Sequence, residues 1–417
     1  RIRYGDREIL FMRVIHITTI DKGGAYMGAL RLHESMCSCG IFSEILVRTK
    51  SNADSPVKEI NSNFCRTILS KGKNTLNLLY KKGEIHGDRF GTDISHSEYV
   101  KNTDVIILHW INSFLSLSEI VKLCKLNKPV IWILHDMWLF TGGCHYDRYC
   151  GRYKQYCGCC PAIASTSVCD TTHRNYTKKI KNLKNIEMTI VGPSQWIVDC
   201  AAASHITEGR RLIHIPNTLD VKLYIPLYDK DNLRKKYNIP LDKKVILFGA
   251  ADGGTENPMK GFSYLVEAIR KLSPEEYVLA VFGNAGESLL DLQGYDIFKL
   301  GYIVEMKVLQ EIYNLADVFV NPSLQEAFGF TVCEAMSCGI PVVAFEVGGN
   351  REQITHRENG YLAKYQNVDE LAEGIAYCAR YTEKLGKKAH LAAQQYSYEN
   401  IGNQYKDLLR TLFHTIV

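Results

Sequence analysis

The sequence contains no apolar run of the roughly 18 residues that a helix needs to span a bilayer. Its formal net charge is only +5 over 417 residues, which argues against nucleic acid as a partner. The opening segment RIRYGDREILF is charged and lacks the apolar core of a signal peptide, so we expect a cytoplasmic protein. Met12 begins the first strand-like stretch, and residues 1–11 are expected to be an upstream extension with no place in the fold.

Disulfides are not expected, although the chain has 14 cysteines. Most of them lie singly in apolar segments, which is typical of reduced core residues. The exception is CHYDRYCGRYKQYCGCCP, residues 144–161, with five cysteines. Two interpretations stay open for this segment. One is a structural zinc held by Cys144, Cys150, Cys157 and Cys160, the last two forming a C-x2-C pair, and the other is a set of reduced thiols or a redox-labile pair.

The length predicts two domains, because 417 residues exceed one core of ordinary size. Strand-like and helical stretches alternate in both halves, which predicts βαβ units and parallel sheets. The segment 50–96 is predicted as loops with one amphipathic helix, and 216–220 as the linker. The predicted strands are 13–20, 41–47, 104–110, 129–134 and 187–192 in the first half and 244–249, 277–283, 297–301, 317–321 and 340–345 in the second.

Glu326 and Glu334 stand eight positions apart in residues 321–349, flanked by several glycines. Both follow predicted strands, at the rim of a parallel sheet where helix N-termini present N–H groups to anions. Carboxylates accept hydrogen bonds from hydroxyls, so the pair suits a ligand with both hydroxyls and phosphates, such as a nucleotide sugar. The alternative is that Glu326 only complements a helix dipole and Glu334 is a solvated surface residue.

Three further segments also have both a ligand-binding and a purely structural interpretation. Gly23 and Gly24 follow the first strand and either bring backbone close to a ligand or merely form a turn. His135 and Asp136 end a buried strand, where the imidazole either bonds a sugar hydroxyl or is a core histidine satisfied by backbone carbonyls. Lys260 precedes a helix and either reaches a diphosphate as a point charge or is solvated.

The segments EAFGF and EAMSCGIPVVA, residues 326–330 and 334–344, resemble the E-x7-E segment of the retaining glycosyltransferases of family 4. DKGGA at 21–25 and WILHDMW at 132–138 are similar to that family's N-terminal segments. The resemblance implies the α/β GT-B fold, in which two Rossmann-like domains face each other across a cleft. It places an acceptor-side domain at 12–216 with a cysteine-rich insert at 144–160, a nucleotide-sugar-binding domain at 217–395, and a helix at 396–417 that returns to the first domain.

The resemblance also implies roles for individual residues. Backbone near Tyr302 and Ile303 would hold the base, Glu334 the ribose and Glu326 the transferred sugar. Similar proteins place an arginine a few residues before the lysine, whereas this chain has none between Ala250 and Lys260. The implied catalytic residues are Lys260, Glu326 and His135; the donor-binding residues are Gly23, Gly24, Gly283, Tyr302, Ile303, Gly329, Phe330 and Glu334; and Asp136 lies on the acceptor side.

The activity implied is that of a retaining hexosyltransferase in bacterial surface polysaccharide biosynthesis. The expected donor is a UDP- or GDP-sugar, and the acceptor is a glycan or a polyprenyl-diphosphate-linked glycan at the inner face of the plasma membrane. No metal or other cofactor is expected in catalysis, because the sequence has no obvious Asp-x-Asp site. The basic run 174–184 is either a membrane contact or a solvated helix face. A GT-B epimerase or phosphorylase stays open, as does an inactive sugar-nucleotide-binding scaffold that has lost the arginine.

Overall fold

The structure is a computed structural model that describes residues 12–51, 55–60, 85, 91–250, 254–284, 286, 292 and 294–414. The predicted extension 1–11 lies outside these residues, as does most of the predicted loop and helix segment 50–96. The chain divides into two compact units: Arg1–Thr218 with Tyr398–Val417, and Leu219–Ser397. We call them the N-terminal unit and the C-terminal unit.

The N-terminal unit has a seven-stranded parallel sheet in the order β3-β2-β1-β4-β5-β6-β7. Its central strand and the neighbour that follows it in the chain are short apolar runs buried on both faces, as expected where helices cover a parallel sheet. The strands are β1 (Arg13–Ile20), β2 (Phe42–Thr49), β3 (Lys58–Glu59), β4 (Val105–Leu108), β5 (Val130–Ile133), β6 (Thr189–Gly192) and β7 (Arg211–His214), and the helices are α1 (Gly24–Ser38), α2 (Glu98–Lys101), α3 (Leu117–Cys124), α4 (Thr171–Leu183) and α5 (Gln195–Ala202).

The C-terminal unit has a six-stranded parallel sheet in the order β10-β9-β8-β11-β12-β13. Apolar clusters fill both sides of this sheet. The strands are β8 (Lys244–Ala250), β9 (Tyr277–Gly283), β10 (Ile297–Gly301), β11 (Val318–Asn321), β12 (Val342–Phe345) and β13 (Gly360–Ala363), and the helices are α6 (Lys230–Lys236), α7 (Phe262–Ile269), α8 (Met306–Asn314), α9 (Phe330–Ser337), α10 (Asn350–Gln353), α11 (Val368–Arg380) and α12 (Thr382–Ala393).

The last helix, α13 (Tyr398–His414), belongs to the N-terminal unit, where it packs on α1. Ile401, Tyr405 and Leu409 bury apolar side chains in the cluster that also contains Met36 of α1. The Tyr398 hydroxyl donates to Glu34 Oε2 over 2.5 Å. Gly402 permits the close approach, because a Cβ there would lie 2.5 Å from Cys39 Sγ.

All ten predicted strands are present, each within two residues at either end. The sequence reading missed β7 and β13, which are four-residue edge strands, and the two-residue β3. β7 is at most half-buried, so it lacks the continuous apolar run that marks the central strands. We find no helix in the described ranges that is both long and apolar enough to cross a membrane.

Candidate functional site

Lys260 and Glu326 meet where two loops of the C-terminal unit are joined. Lys260 closes a short 3-10 turn, Pro258–Lys260, which begins at Asn257. The N–H of Leu324, in the loop that follows β11, donates to the carbonyl of Met259 over 2.9 Å. This bond ties the two loops together and leaves Lys260 Nζ 3.8 Å from Glu326 Oε2, with the side chains 30% and 14% exposed. A cation and a partly buried carboxylate therefore lie together at the carboxyl edge of the sheet.

Two glycines make this packing sterically feasible. Gly261 has φ +67°, and a Cβ there would lie 1.9 Å from the carbonyl oxygen of Pro322. Gly348 has φ +47°, and a Cβ there would lie 2.0 Å from the carbonyl oxygen of Glu326. The Gly349 N–H donates to that same oxygen over 2.9 Å. The backbone on either side of the Lys260–Glu326 contact is thus held by positions that only glycine fits.

The N-terminus of α9 starts three residues after Glu326. Gly329 is its N-cap and makes no side-chain cap hydrogen bond. The partial positive charge of such a terminus suits an anionic ligand. Phe330 opens the helix, and its ring packs edge-on against Phe328 at 5.5 Å between centroids. The predicted donor-binding pair Gly329 and Phe330 therefore follows Glu326 directly.

Glu334 lies one turn further along α9 and is only 4% exposed. Its Oε2 accepts a hydrogen bond of 2.6 Å from the hydroxyl of Tyr313. Burial, together with the nearby Glu334 carboxylate, raises the pKa of Tyr313 well above its usual value, so the phenol stays a donor. The solvated-surface alternative is therefore wrong for Glu334. Its predicted role as a ribose ligand stays a prediction, and Tyr313 is a partner that sequence reasoning missed.

The remaining candidates of this unit follow two neighbouring strands at the same edge. Gly283 ends β9 with φ +93°. Gly301 ends β10 with φ +73°, and a Cβ there would meet no atom within 4 Å in the described part of the chain. Tyr302 comes next and is 68% exposed, while Ile303 packs partly against the apolar core. An exposed ring beside a core-anchored residue is compatible with the predicted contact to a nucleotide base.

In the N-terminal unit, Gly23 is the N-cap of α1 with φ +85° and no side-chain cap hydrogen bond, and Gly24 is the first helical residue.

Asp136 follows β5. Its Oδ2 lies 2.5 Å from His145 Nδ1, and its Oδ1 accepts from the Trp138 N–H over 2.8 Å. Burial opposes ionisation of Asp136, but these contacts hold its pKa below its usual value. Asp136 is therefore an ionised carboxylate, and it lines a small cavity together with His135.

Among the described residues, the ring of His135 has a histidine partner, not the backbone carbonyl that the core-histidine alternative supposed. Its Nε2 lies 2.8 Å from His109 Nδ1, and His109 Nε2 lies 2.9 Å from His16 Nδ1. Burial lowers the pKa of His135 to about 4, that of His16 to about 3, and that of His109 well below its usual value. All three imidazoles are therefore neutral at pH 7. Sequence reasoning missed His16, His109 and His145, although Leu-His-Trp at 108–110 matches the Leu-His-Asp pattern at 134–136.

The cysteine-rich insert consists of short turns that are fixed by Asp170, whose carboxylate accepts from the Cys160 N–H over 2.9 Å and caps α4. Cys144, Cys150, Cys157 and Cys160 are free thiols. Burial, followed by the proximity of the other three thiols, raises the pKa of Cys144. Within the described ranges, no three Cys, His, Asp or Glu side chains are arranged to hold a metal ion. The zinc interpretation stays a prediction.

The triplet Asp229-Lys230-Asp231 has Asp-x-Asp spacing, which sequence reasoning passed over. In the structure, this triplet makes helix-capping and anchoring contacts. Asp229 caps α6 through the Asn232 N–H, and Lys230 Nζ donates to the Ala316 carbonyl over 2.6 Å and lies 3.3 Å from Asp317 Oδ1. These contacts anchor α6 to the start of β11.

Comparison with known proteins finds a family match for part of the chain. The family described as "Glycosyl transferases group 1" matches residues 229–394, within the C-terminal unit. An uncharacterised glycosyltransferase of Methanocaldococcus jannaschii is 31% identical over 191 residues, covering 42% of this chain and 47% of the relative. An Escherichia coli glycosyl transferase named for colanic acid biosynthesis is 25% identical over 281 residues, covering 64% of this chain and 66% of the relative. This chain thus spans about half the length of the first relative and just under two thirds of the second.

Among solved structures, Anabaena HepE in complex with UDP-glucose superposes with a TM-score of 0.66 at 18% identity, covering 96% of this chain and 100% of that one. The predicted fold class is confirmed, because the chain has two Rossmann-like parallel-sheet domains and its structural neighbours are GT-B glycosyltransferases. For residues 229–394, the glycosyltransferase part of the resemblance is supported by the match to group 1. Family 4 and retention stay predictions.

Proposed function

We propose that this chain, whose residues 229–394 match the group 1 glycosyltransferases, transfers a hexosyl group from a nucleotide sugar to a glycan or lipid-linked acceptor with retention. The observation that carries the proposal is the contact of Lys260 Nζ with Glu326 Oε2 at 3.8 Å. Glu326 precedes Gly329, the N-cap of α9, by three residues. The ammonium and the helix terminus suit a diphosphate, and the carboxylate suits the hydroxyls of a sugar.

The proposed chemistry is mainly electrostatic. As the bond between the anomeric carbon and the diphosphate breaks, negative charge builds on the leaving phosphate oxygen. Lys260 and the first turn of α9 stabilise that charge, while Glu326 accepts a hydrogen bond from the transferred sugar. We assign no general base. In a front-face displacement the leaving phosphate takes the acceptor's proton as the new glycosidic bond forms, which retains the anomeric configuration.

A nucleotide donor is supported by the Anabaena structure, which holds UDP-glucose. A role in surface polysaccharide synthesis is supported by the relative named for colanic acid biosynthesis. For the acceptor we propose a polyprenyl-diphosphate-linked glycan at the cytoplasmic membrane face. Arg174, Lys178 and Lys181 on α4 supply positive charge that an anionic membrane surface would attract.

A nucleotide-binding screen followed by a transfer assay tests this proposal. We expect UDP or GDP, and the matching sugar nucleotide, to raise the thermal midpoint of the protein, since a ligand at 100 times its Kd stabilises the folded state by about 2.7 kcal/mol. A nucleoside monophosphate serves as the control for base binding without the diphosphate. Supplied with acceptor glycans, the protein should then release the nucleoside diphosphate and elongate the glycan.

The same assay separates the rival activities. Formation of a sugar 1-phosphate would indicate a phosphorylase, and conversion of the sugar nucleotide without an acceptor would indicate an epimerase. Binding without turnover of any donor would identify a scaffold protein. Inversion of the anomeric centre in the product would overturn the retaining mechanism while leaving transfer intact.

The zinc prediction is tested separately, by metal analysis of protein purified under reducing conditions. A site formed by Cys144, Cys150, Cys157 and Cys160 would hold one zinc per chain, because four thiolates complete a tetrahedral structural site. Replacing Cys150 by serine should then release the metal. Replacing the exposed Cys169 is the matched control and should leave the metal in place. Protein without zinc would favour the reduced-thiol interpretation.

A further inference from the structure

Three imidazoles form a row across adjacent strands of the N-terminal sheet. His16 lies within β1, His109 directly follows β4, and His135 follows β5 by two residues. These strands are neighbours in the sheet, and both ring-to-ring centroid distances are 5.1 Å, close to the spacing of about 4.8 Å between strands. The sheet itself therefore sets the spacing of the row, and the two nitrogen-to-nitrogen contacts of 2.9 Å and 2.8 Å follow from it.

The row admits only two proton arrangements. A neutral imidazole has one N–H and one bare nitrogen, and each contact joins a Nδ1 to a Nε2. Either every ring carries its proton on Nδ1 and donates toward His135, or every ring carries it on Nε2 and donates toward His16. Any mixture would set two N–H groups or two lone pairs against each other.

The His16 end decides between the two. His16 is fully buried, and its Nε2 has no hydrogen-bond partner in the described structure. His33 of α1 packs edge-on against it at 6.3 Å between ring centroids, with His33 Nδ1 2.9 Å from Ser43 Oγ. Orphaned buried N–H groups are rarer than orphaned acceptors. A buried donor without a partner has lost its hydrogen bond to water and gains no bond that offsets this loss. A bare Nε2 at His16 is therefore favoured, which places the proton on Nδ1.

We propose that His16 and His109 are positioning residues that hold His135 in the Nδ1–H tautomer, so that His135 presents a hydrogen-bond donor to a substrate oxygen and does not act as a general base. His135 lines the small cavity that also contains Asp136 and Trp138. Asp136 supplies an acceptor there and His135 a donor, a combination that suits a sugar hydroxyl. The identity of that oxygen rests on the proposed function, but the tautomer does not.

Nitrogen-15 NMR of histidine-labelled protein tests the tautomer without any substrate. At neutral pH, the long-range nitrogen–proton correlations of His16, His109 and His135 should all show neutral rings protonated on Nδ1. Protonation of His135 on Nε2, or an imidazolium at His109 or His135, would overturn the proposal. This result stands whether or not the chain transfers sugar, so its failure and the failure of the proposed function are distinguishable.

Two replacements of His109 test the relay itself. In His109→Leu the Nε2 of His135 loses its partner, and we expect part of the His135 population to move its proton to Nε2. With the sugar donor identified in the screen, kcat should fall by about tenfold, of the order of one lost hydrogen bond, while the thermal shift given by UDP or GDP is unchanged. His109→Gln keeps both a donor and an acceptor and should restore most of the activity.

His33→Gln is the matched control, since it alters a neighbouring histidine outside the row and should leave the His135 tautomer and kcat unchanged. Equal loss in the leucine and glutamine variants would assign His109 a packing role only. If the leucine variant fails to fold, the tautomers of the unmodified protein and the glutamine variant decide the question.

Discussion

Replacing Lys260 by alanine is expected to reduce transfer at least 100-fold and leave the fold intact. A donor that stabilises charge developing in the transition state contributes about 10²- to 10³-fold to kcat. The structural cost should be small, because the Lys260 side chain is 30% exposed and its contact with Glu326 is long, at 3.8 Å. Exposed ion pairs contribute only about 0–1 kcal/mol. The measurements are kcat with the sugar nucleotide and the thermal midpoint.

The matched control is Lys271→Ala in the same unit. Lys271 also pairs with a carboxylate, Asp369 at 2.8 Å, but both side chains are exposed. Replacing Lys271 should change neither kcat nor the thermal midpoint measurably. Glu326→Gln is the companion variant, which keeps the size of the side chain and removes the charge that would accept the sugar hydroxyl. Undiminished transfer in both Lys260→Ala and Glu326→Gln would refute the assignment of this site.

The fold was largely predictable because both sheets are parallel and buried. Central strands such as β5, β9 and β12 are continuous apolar runs, and such runs are recognisable from residue type alone. The edge strand β7 is at most half-buried. The edge strand β13 starts at Gly360, where an added Cβ would lie only 2.3 Å from the Val342 carbonyl oxygen. The reason for pairing at these edges is tertiary contact, which local sequence does not contain.

The candidate site was predictable where it depends on strand ends. Lys260 and Glu326 follow β8 and β11, which pair directly, so parallel topology brings their loops together. The partners that depend on register were not predictable. Glu334 meets Tyr313 across two helices, and His135 meets His109 across two strands. Those contacts follow from how far each element is offset along its neighbour.

The family match leaves the N-terminal unit uncovered, since it is confined to residues 229–394. Two features described above lie in that unit: the row of histidines and the cysteine-rich insert at 144–160, which Asp170 holds through the Cys160 N–H. The Asp136 carboxylate links the two, because it contacts His145 inside the insert and adjoins His135. We therefore expect acceptor specificity to respond to changes in the insert, while donor binding responds to changes in the C-terminal unit.

Gly261→Ala is expected to damage stability and transfer together. The residue has φ +67°, and an added Cβ would lie 1.9 Å from the Pro322 carbonyl oxygen. The left-handed conformation costs a non-glycine residue about 1–2 kcal/mol, and relieving an overpacked contact with backbone costs roughly 1–3 kcal/mol more. The relief must separate the Lys260 loop from the loop after β11. A displacement of about 1 Å at a reacting group can lower the rate on the order of 100-fold.

Gly294→Ala separates conformational strain from the clash, because Gly294 has φ +89° but an added Cβ there would meet no atom of the described residues within 4 Å. It should lose only about 1–2 kcal/mol of unfolding free energy and retain full transfer activity. Denaturant unfolding and kcat of the two variants, measured side by side, give the comparison. If Gly261→Ala matched Gly294→Ala in both stability and kcat, the contact with Pro322 would not position Lys260, and the ammonium would reach the diphosphate without the constraint that this loop supplies.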